Sequence, residues 1–200
     1  AHGIKQAQGA ARILARNCNI AFMIHSALER SRATAQALLP KLKIQPTVLL
    51  EDARLNERNY GVLSGKNKQQ TIAEHGADKV HLWRRSLYVA PPGGESLADT
   101  RVRVVDSFTQ HIQPRLESGK CVLIVAHGNS LRALISHILD FDDTQIRQTE
   151  IGCCSPWVIS RLGNRKVVQI FTDDSSSNKL AKGNHIMHSN SGSQLETLIS

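Results

Sequence analysis

The sequence predicts an α/β domain built on a mostly parallel sheet with helices on both faces. Two observations carry this. Short aliphatic runs alternate with longer stretches of helical periodicity along most of the chain. One run, Cys121-Val-Leu-Ile-Val-Ala126, stops at His127-Gly128-Asn129-Ser130 and restarts as the helical pattern Leu131–Leu139, as a buried parallel strand feeding a helix would. A hydrophobic share of 40% can fill one core in 200 residues, and an aromatic share of 4% makes that core aliphatic.

The elements follow in order. Ile4 to Arg16 is rich in helix formers, and Ile20-Ala-Phe-Met-Ile24 reads as a short strand. Ser26 is placed to cap a helix from Ala27 to Leu39 that ends at Pro40. Thr47-Val-Leu-Leu50 is the next strand, followed by a polar segment from Glu51 to Gly65. A helix from Gln69 to about Tyr88 is interrupted at Gly76, and Pro91-Pro-Gly-Gly94 is a loop. Ser96-Leu-Ala-Asp99 forms a capping box for a helix whose apolar positions are Val102, Val105, Phe108 and Ile112. Asn129 or Ser130 caps the helix after His127. Trp157–Ser160 and Val167–Phe171 flank Leu162-Gly-Asn164 as a β-hairpin. The expected domain covers residues 1–172, and 173–200, rich in Ser, Asn, Gly and His, reads as a disordered tail. The chain starts at a helix, so a leading strand is expected to be absent.

The formal charge of +8 suits a polyanionic partner. No run of Lys/Arg and no basic stripe with interleaved aromatics supports nucleic acid, so a non-enzymatic polyanion or nucleic-acid binder is the weakest alternative. The cysteines Cys18, Cys121, Cys153 and Cys154 lack zinc spacing and read as reduced thiols. No signal peptide or long apolar stretch is seen; a cytoplasmic chain without membrane contact is expected.

Four clusters could carry chemistry: Arg30; the segment Arg54-Leu-Asn-Glu57-Arg58-Asn59-Tyr60-Gly61 with Lys68; Trp83-Arg84-Arg85; and His127-Gly128-Asn129. A strand's carboxyl end beside a helix amino terminus attracts anions, and arginine forks clamp phosphoryl oxygens. Each has a plainer reading. Arg30 could be a solvated helix residue, Arg84 and Arg85 a surface pair beside a buried Trp83, and Glu57 an ion-pair partner of Arg54 or Arg58. His137 reads as structural. His127, ending an aliphatic run, is the strongest functional candidate.

These segments, with Gly65-Lys-Asn-Lys68, Trp83-Arg-Arg-Ser86, Gly94-Glu-Ser-Leu-Ala-Asp-Thr100 and Ala126-His-Gly-Asn-Ser-Leu-Arg-Ala133, resemble the 2,3-bisphosphoglycerate-dependent phosphoglycerate mutases of the histidine phosphatase superfamily, from about Gly3 to Phe171. The resemblance implies a three-layer α/β/α fold. It also implies interconversion of 3- and 2-phosphoglycerate through a phosphohistidine, with 2,3-bisphosphoglycerate as primer, no metal, and a homo-oligomer left open. It makes Glu57 the proton donor and acceptor, and gives phosphate contact to Arg30. His127 then stabilises the transferring phosphoryl group. Arg58, Asn59, Tyr60, Lys68, Arg84, Arg85, Gly128 and Asn129 fall at substrate-binding positions. A broad-specificity phosphatase of the same superfamily is the alternative.

Two departures stand out. The family's nucleophilic histidine lies in an Arg-His-Gly motif upstream of Ala1, and Ala1-His2-Gly3 lacks both that arginine and the strand. Residues 1–200 alone are therefore expected to be inactive. Cys153-Cys154-Ser155-Pro156 replaces the family's Thr-Gly-x-Pro.

Overall fold

The computed structural model describes residues 2–42, 48–162 and 165–171, with the side chains of Lys68, Arg85, Leu162, Arg165 and Val167 outside that description. The expected tail 173–200 and the start of the expected strand at Thr47 also lie outside the described residues.

Helix α1 (His2–Asn17) turns the small residues Ala7, Gly9, Ala10 and Ala11 inward together with Leu14, which lets it lie close on α2 (Glu29–Leu42). Between them in the sequence comes β1 (Ile20–His25), flanked by β2 (Leu49–Glu51) and β3 (Cys121–Val125), all parallel in the order β2-β1-β3. Side chains alternate across β1 with the period of a strand. Met23 meets Ala11, Ala35 and Leu38 on one face, whereas Phe22 and Ile24 meet Val104, Phe108, Ala133 and Leu134 on the other. These are two apolar layers about one sheet, the three-layer α/β/α arrangement.

The second layer is α5 (Leu97–Ser107) and α7 (Gly128–Ile138). The capping box at Ser96 and Asp99 is present, with Asp99 N donating to Ser96 Oγ and Ser96 N to Asp99 Oδ2. The expected apolar stripe is corrected. Val102 is 74% exposed, and the buried face is Leu97, Thr100, Val104 and Ser107. Two of these four carry hydroxyls that are satisfied locally, Thr100 at Ser96 O and Ser107 at Asp52, so counting apolar residues alone picks the wrong face. A π-helical turn, Phe108–Ile112, then returns Phe108 and Ile112 to the core before the short α6 (Gln113–Glu117).

Other boundaries shift for physical reasons. The helix after β1 starts at Glu29 and runs through Pro40 to Leu42; Ser26 Oγ accepts from Leu28 N instead of capping it. Gly76, at φ 84°, splits the long expected helix into α3 (Lys68–His75) and α4 (Ala77–Arg85). These carry a small core of Leu63, Val80 and Trp83. After α7 come α8 (Asp143–Gln148) and the hairpin β4 (Trp157–Leu162) and β5 (Arg165–Ile170), which seats Val168 against Ile135 and Leu139. Among the described residues no helix is long and apolar enough to cross a membrane.

Candidate active site

Strands β1 and β3 end side by side, and the chain leaves them at Ser26 and His127. Ser26 N donates to Val125 O at 3.0 Å and Ser31 Oγ to the same carbonyl at 2.7 Å, which locks the two exits together. His127 precedes α7. Ser130 Oγ accepts its N–H at 3.1 Å, so Ser130 satisfies that terminus from inside the first turn, and Asn129 is released for another role.

The His127 ring is 8% exposed and bonded on both nitrogens. Arg30 Nε donates to Nδ1 at 3.2 Å, and Nε2 lies 2.6 Å from Ser26 Oγ. A guanidinium only donates, so Nδ1 bears the lone pair and the network puts the proton on Nε2. Burial pushes the imidazole below its ordinary value, the Arg30 charge pushes the same way, and the Glu57 charge opposes them. The ring is neutral at pH 7 and presents one N–H donor. Arg30 is exposed, and its Nε holds the ring.

Glu57 is not paired with the Arg54 guanidinium, which instead clamps Asp52 and Asp106. Its Oε1 accepts two backbone N–H groups, from Arg58 at 2.8 Å and from Asn129 at 3.3 Å. The second bond ties the carboxylate to the first turn of α7, beside His127. Asn129 Nδ2 donates to Tyr60 Oη at 2.8 Å, and Arg132 Nη2 donates to Asn129 Oδ1. The Tyr60 ring lies between two cations, with the guanidinium carbons of Arg58 and Arg84 at 5.3 and 5.5 Å from its centroid.

Arg58 is 2% exposed and donates to Glu95 O at 2.7 Å and Trp83 O at 2.6 Å. Its Nη1 and the Nε of Arg84 are buried donors with no hydrogen-bond partner among the described residues. Such donors are costly unless an acceptor, a water or a ligand group, meets them. A pocket of about 220 Å³ opens beside Arg84, walled also by Tyr60, Gly128, Asn129, Arg132, Thr149 and Glu150. The unmet Arg84 Nε suits an acceptor group on a ligand in that pocket.

The structure thus brings together Arg30, Glu57, Arg58, Tyr60, Arg84, Asn129 and His127. Gly128 lies on the rim, and Asn59 is exposed and bonds Gly61 N. The Lys68 and Arg85 side chains lie outside the described residues. His137 stacks edge-on against Phe108 at 5.6 Å, a packing role. Trp83 is buried, 5% exposed. All four cysteines are free, and Cys154 sits at a left-handed φ of 52° with its thiol pushed up to about 11, chiefly by burial. Among the described residues no group of three or more His, Cys, Asp or Glu converges as a metal site would.

Sequence reasoning passed over Ser26 as a ring partner, and gave no role to Glu95, Arg103 or Arg132. Glu95 and Arg132 carried a signal, as parts of the Gly94-Glu-Ser-Leu and Ala126-His-Gly-Asn-Ser-Leu-Arg-Ala133 segments.

A sheet-edge imidazole held by an arginine, with a backbone-held glutamate across the helix terminus, defines a phosphoryl-handling α/β protein. The chain belongs to the histidine phosphatase superfamily, branch 1, whose family model matches residues 1–174. It is 42% identical over 149 residues to the 2,3-bisphosphoglycerate-dependent phosphoglycerate mutase of Bartonella bacilliformis, a match covering 72% of each chain. It is 40% identical over 164 residues to the mutase of the same name from Azorhizobium caulinodans, covering 80% of this chain and 78% of that one. Among solved structures, a mycobacterial glucosyl-3-phosphoglycerate phosphatase superposes with a TM-score of 0.72 at 24% identity, covering 84% of both chains. The fold is shared.

Proposed function

We propose that this site is that of a 2,3-bisphosphoglycerate-dependent phosphoglycerate mutase, interconverting 3- and 2-phosphoglycerate in glycolysis and gluconeogenesis in the cytoplasm. The observation that carries the reading is the His127 ring, fixed as an Nε2–H donor by Arg30 and set beside the Glu57 carboxylate. In the proposed chemistry a phosphoryl group passes between a phosphohistidine and a substrate hydroxyl. Arg30, and His127 Nε2–H once a phosphoryl oxygen displaces Ser26 Oγ from it, offset the charge on its oxygens. Glu57 takes the proton from the attacking hydroxyl and returns it to the leaving one. Arg84, Tyr60 and Asn129 line the pocket for the rest of the glycerate, and the bisphosphate primer fits the same cationic surface.

The histidine that carries the phosphoryl group is not assigned to a described residue: His25 Nδ1 is bonded to Ser26 O, and His2 is an exposed residue at the head of α1. Residues 1–200 alone are therefore expected to bind phosphoglycerates without turning them over. The name of the mutase relatives supports the substrate, and the superfamily also holds phosphatases.

Calorimetric titration with 3-phosphoglycerate tests the binding, and a coupled assay of 2-phosphoglycerate with and without the bisphosphate tests the reaction. The assay is run on residues 1–200 and on a chain extended upstream through any in-frame Arg-His-Gly segment. Saturable binding weakened by Arg84→Ala supports the reading. Absence of 3-phosphoglycerate binding to either chain defeats it, and phosphate release from 3-phosphoglycerate without bisphosphate identifies a phosphatase.

A further inference from the structure

The segment that carries Glu57 has no regular structure: residues 56–60 lie between two short turns, at Ala53–Leu55 and Gly61–Leu63. An acid/base group on such a segment needs an external hold, and the hold comes from α5. Arg103 donates through Nε to Glu95 Oε1 at 2.8 Å and through Nη2 to Glu95 Oε2 at 2.9 Å, a forked pair. The remaining N–H groups reach three backbone carbonyls: Nη1 to Arg54 O at 2.5 Å and Asn56 O at 2.8 Å, and Nη2 to Glu57 O at 3.2 Å. All five donors of the guanidinium are spent. Glu95 Oε2 also accepts Asn59 N at 2.9 Å. One ion pair therefore grips the chain at 54, 56, 57 and 59, on both sides of the Glu57 side chain.

Burial alone would raise the Glu95 carboxyl; the hydrogen bonds from Arg103 and Asn59 N outweigh it, and the group lies below its ordinary value. The pair stays charged at neutral pH. The Arg103 charge also reaches the site, where it helps depress His127.

We infer that Arg103 and Glu95 are positioning residues: their forked pair sets the backbone on either side of Glu57 so that its carboxylate meets Asn129 N beside His127. The inference rests on Glu57 being the working carboxylate of the proposed function. A lysine at 103 would keep the charge but supply three donors from one point, which cannot serve a carboxylate fork and three carbonyls together.

The test follows the Asn129 amide, which lies on a different element and donates to Glu57. Its 1H–15N signal is recorded in the parent, Glu57→Ala, Arg103→Lys, Arg103→Gln and Glu95→Gln, with folding checked by circular dichroism. Binding of inorganic phosphate and of 3-phosphoglycerate is titrated alongside. Arg103→Lys and Arg103→Gln are expected to move the Asn129 signal toward its position in Glu57→Ala, with Glu95→Gln moving it part of the way. Affinity for 3-phosphoglycerate falls about tenfold, the scale of one lost charged hydrogen bond, through displacement of the pocket residue Tyr60 next to Asn59 and not through Glu57 itself, while affinity for inorganic phosphate stays within about twofold of the parent. An Asn129 signal that holds still in folded variants overturns the inference. So does an Arg103→Lys variant that matches the parent, or unfolding of all three Arg103 and Glu95 variants, which would assign the pair to stability. A parent that ignores 3-phosphoglycerate defeats the mutase reading, while the Asn129 signal still decides the positioning.

Discussion

Arg30 Nε stands 3.2 Å from His127 Nδ1, and this single contact sets the tautomer of the ring. With the lone pair at Nδ1 engaged, Nε2 carries hydrogen toward Ser26 Oγ at 2.6 Å. The Ser26–His127 pair resembles a nucleophile with its base, yet the base would need its lone pair at Nε2. The arginine forbids that role and leaves the ring a donor.

Replacing Arg30 by alanine is expected to raise the His127 pKa and to free Nδ1 for protonation. The change is read by 15N-imidazole NMR titration. Affinity for inorganic phosphate should fall about tenfold or more, as expected for a charged hydrogen bond. A His127 titration curve that does not move would show that the Arg30 charge does not depress the ring.

The depressed pKa of His127 has a consequence for stability. The unfolded chain takes up a proton at the ordinary imidazole value near 6.5, above the folded value. Its contribution is therefore intact above about pH 6.5 and is lost as pH falls through the folded pKa. Urea midpoints measured between pH 7.5 and about 5 should decline in the parent and decline less in His127→Gln. Glu95 and Asp52, both lowered, lose their contributions only further into acid, below the ordinary carboxylate values.

Glu57→Gln keeps an oxygen for the amides of Arg58 and Asn129 but removes the proton acceptor. In a form that turns over, kcat should drop by roughly two to four orders of magnitude with KM nearly unchanged. A pH–rate profile identical to the parent's would take the acid/base role away from Glu57.

Two arginines assigned alike by resemblance should separate on substitution. Arg58 is buried and ties Glu95 O to Trp83 O, so Arg58→Ala should cost about 2–4 kcal/mol of stability in chemical unfolding. Arg84 stacks on Tyr60 with its Nε unpartnered, so Arg84→Ala should leave the melting temperature close to the parent's and weaken 3-phosphoglycerate about ten- to hundredfold. Equal effects on both properties would erase the distinction.

Gly61 has φ +51°, and a Cβ built there would lie 2.1 Å from Pro92 O and 2.5 Å from Gly94 N. Gly61→Ala should therefore displace the segment bearing Tyr60, with a loss of at least about 1–3 kcal/mol. Thermal unfolding and 3-phosphoglycerate titration should decline together; a variant as stable as the parent would show that the Pro92 loop yields easily.

How far the sequence was legible depends on where the information sits. The aliphatic run ending at His127, the break at Gly76, the box at Ser96 and Asp99 and the hairpin are local patterns, and each is found where the sequence puts it. Arg103 is different. It looks like any helical arginine beside Arg101, and its five acceptors come from segments up to 49 residues away, three of them backbone carbonyls that leave no mark in side-chain identity. Val102 misled for a related reason: its face is apolar by composition, but hydroxyls satisfied by neighbours allowed Thr100 and Ser107 inside instead. Ser26 was visible as a capping type, while its bond to a ring 101 residues away was not.

The backbone contact between Gly61 and Gly94 is reciprocal, since a Cβ at Gly94 would in turn meet Asn59 O at 2.7 Å and Gly61 N at 2.8 Å. Neither stretch has room to vary unless the other shifts. Anyone grafting a different specificity loop onto this scaffold would have to transplant both as a matched set, because a single foreign loop would strike the native one that remains.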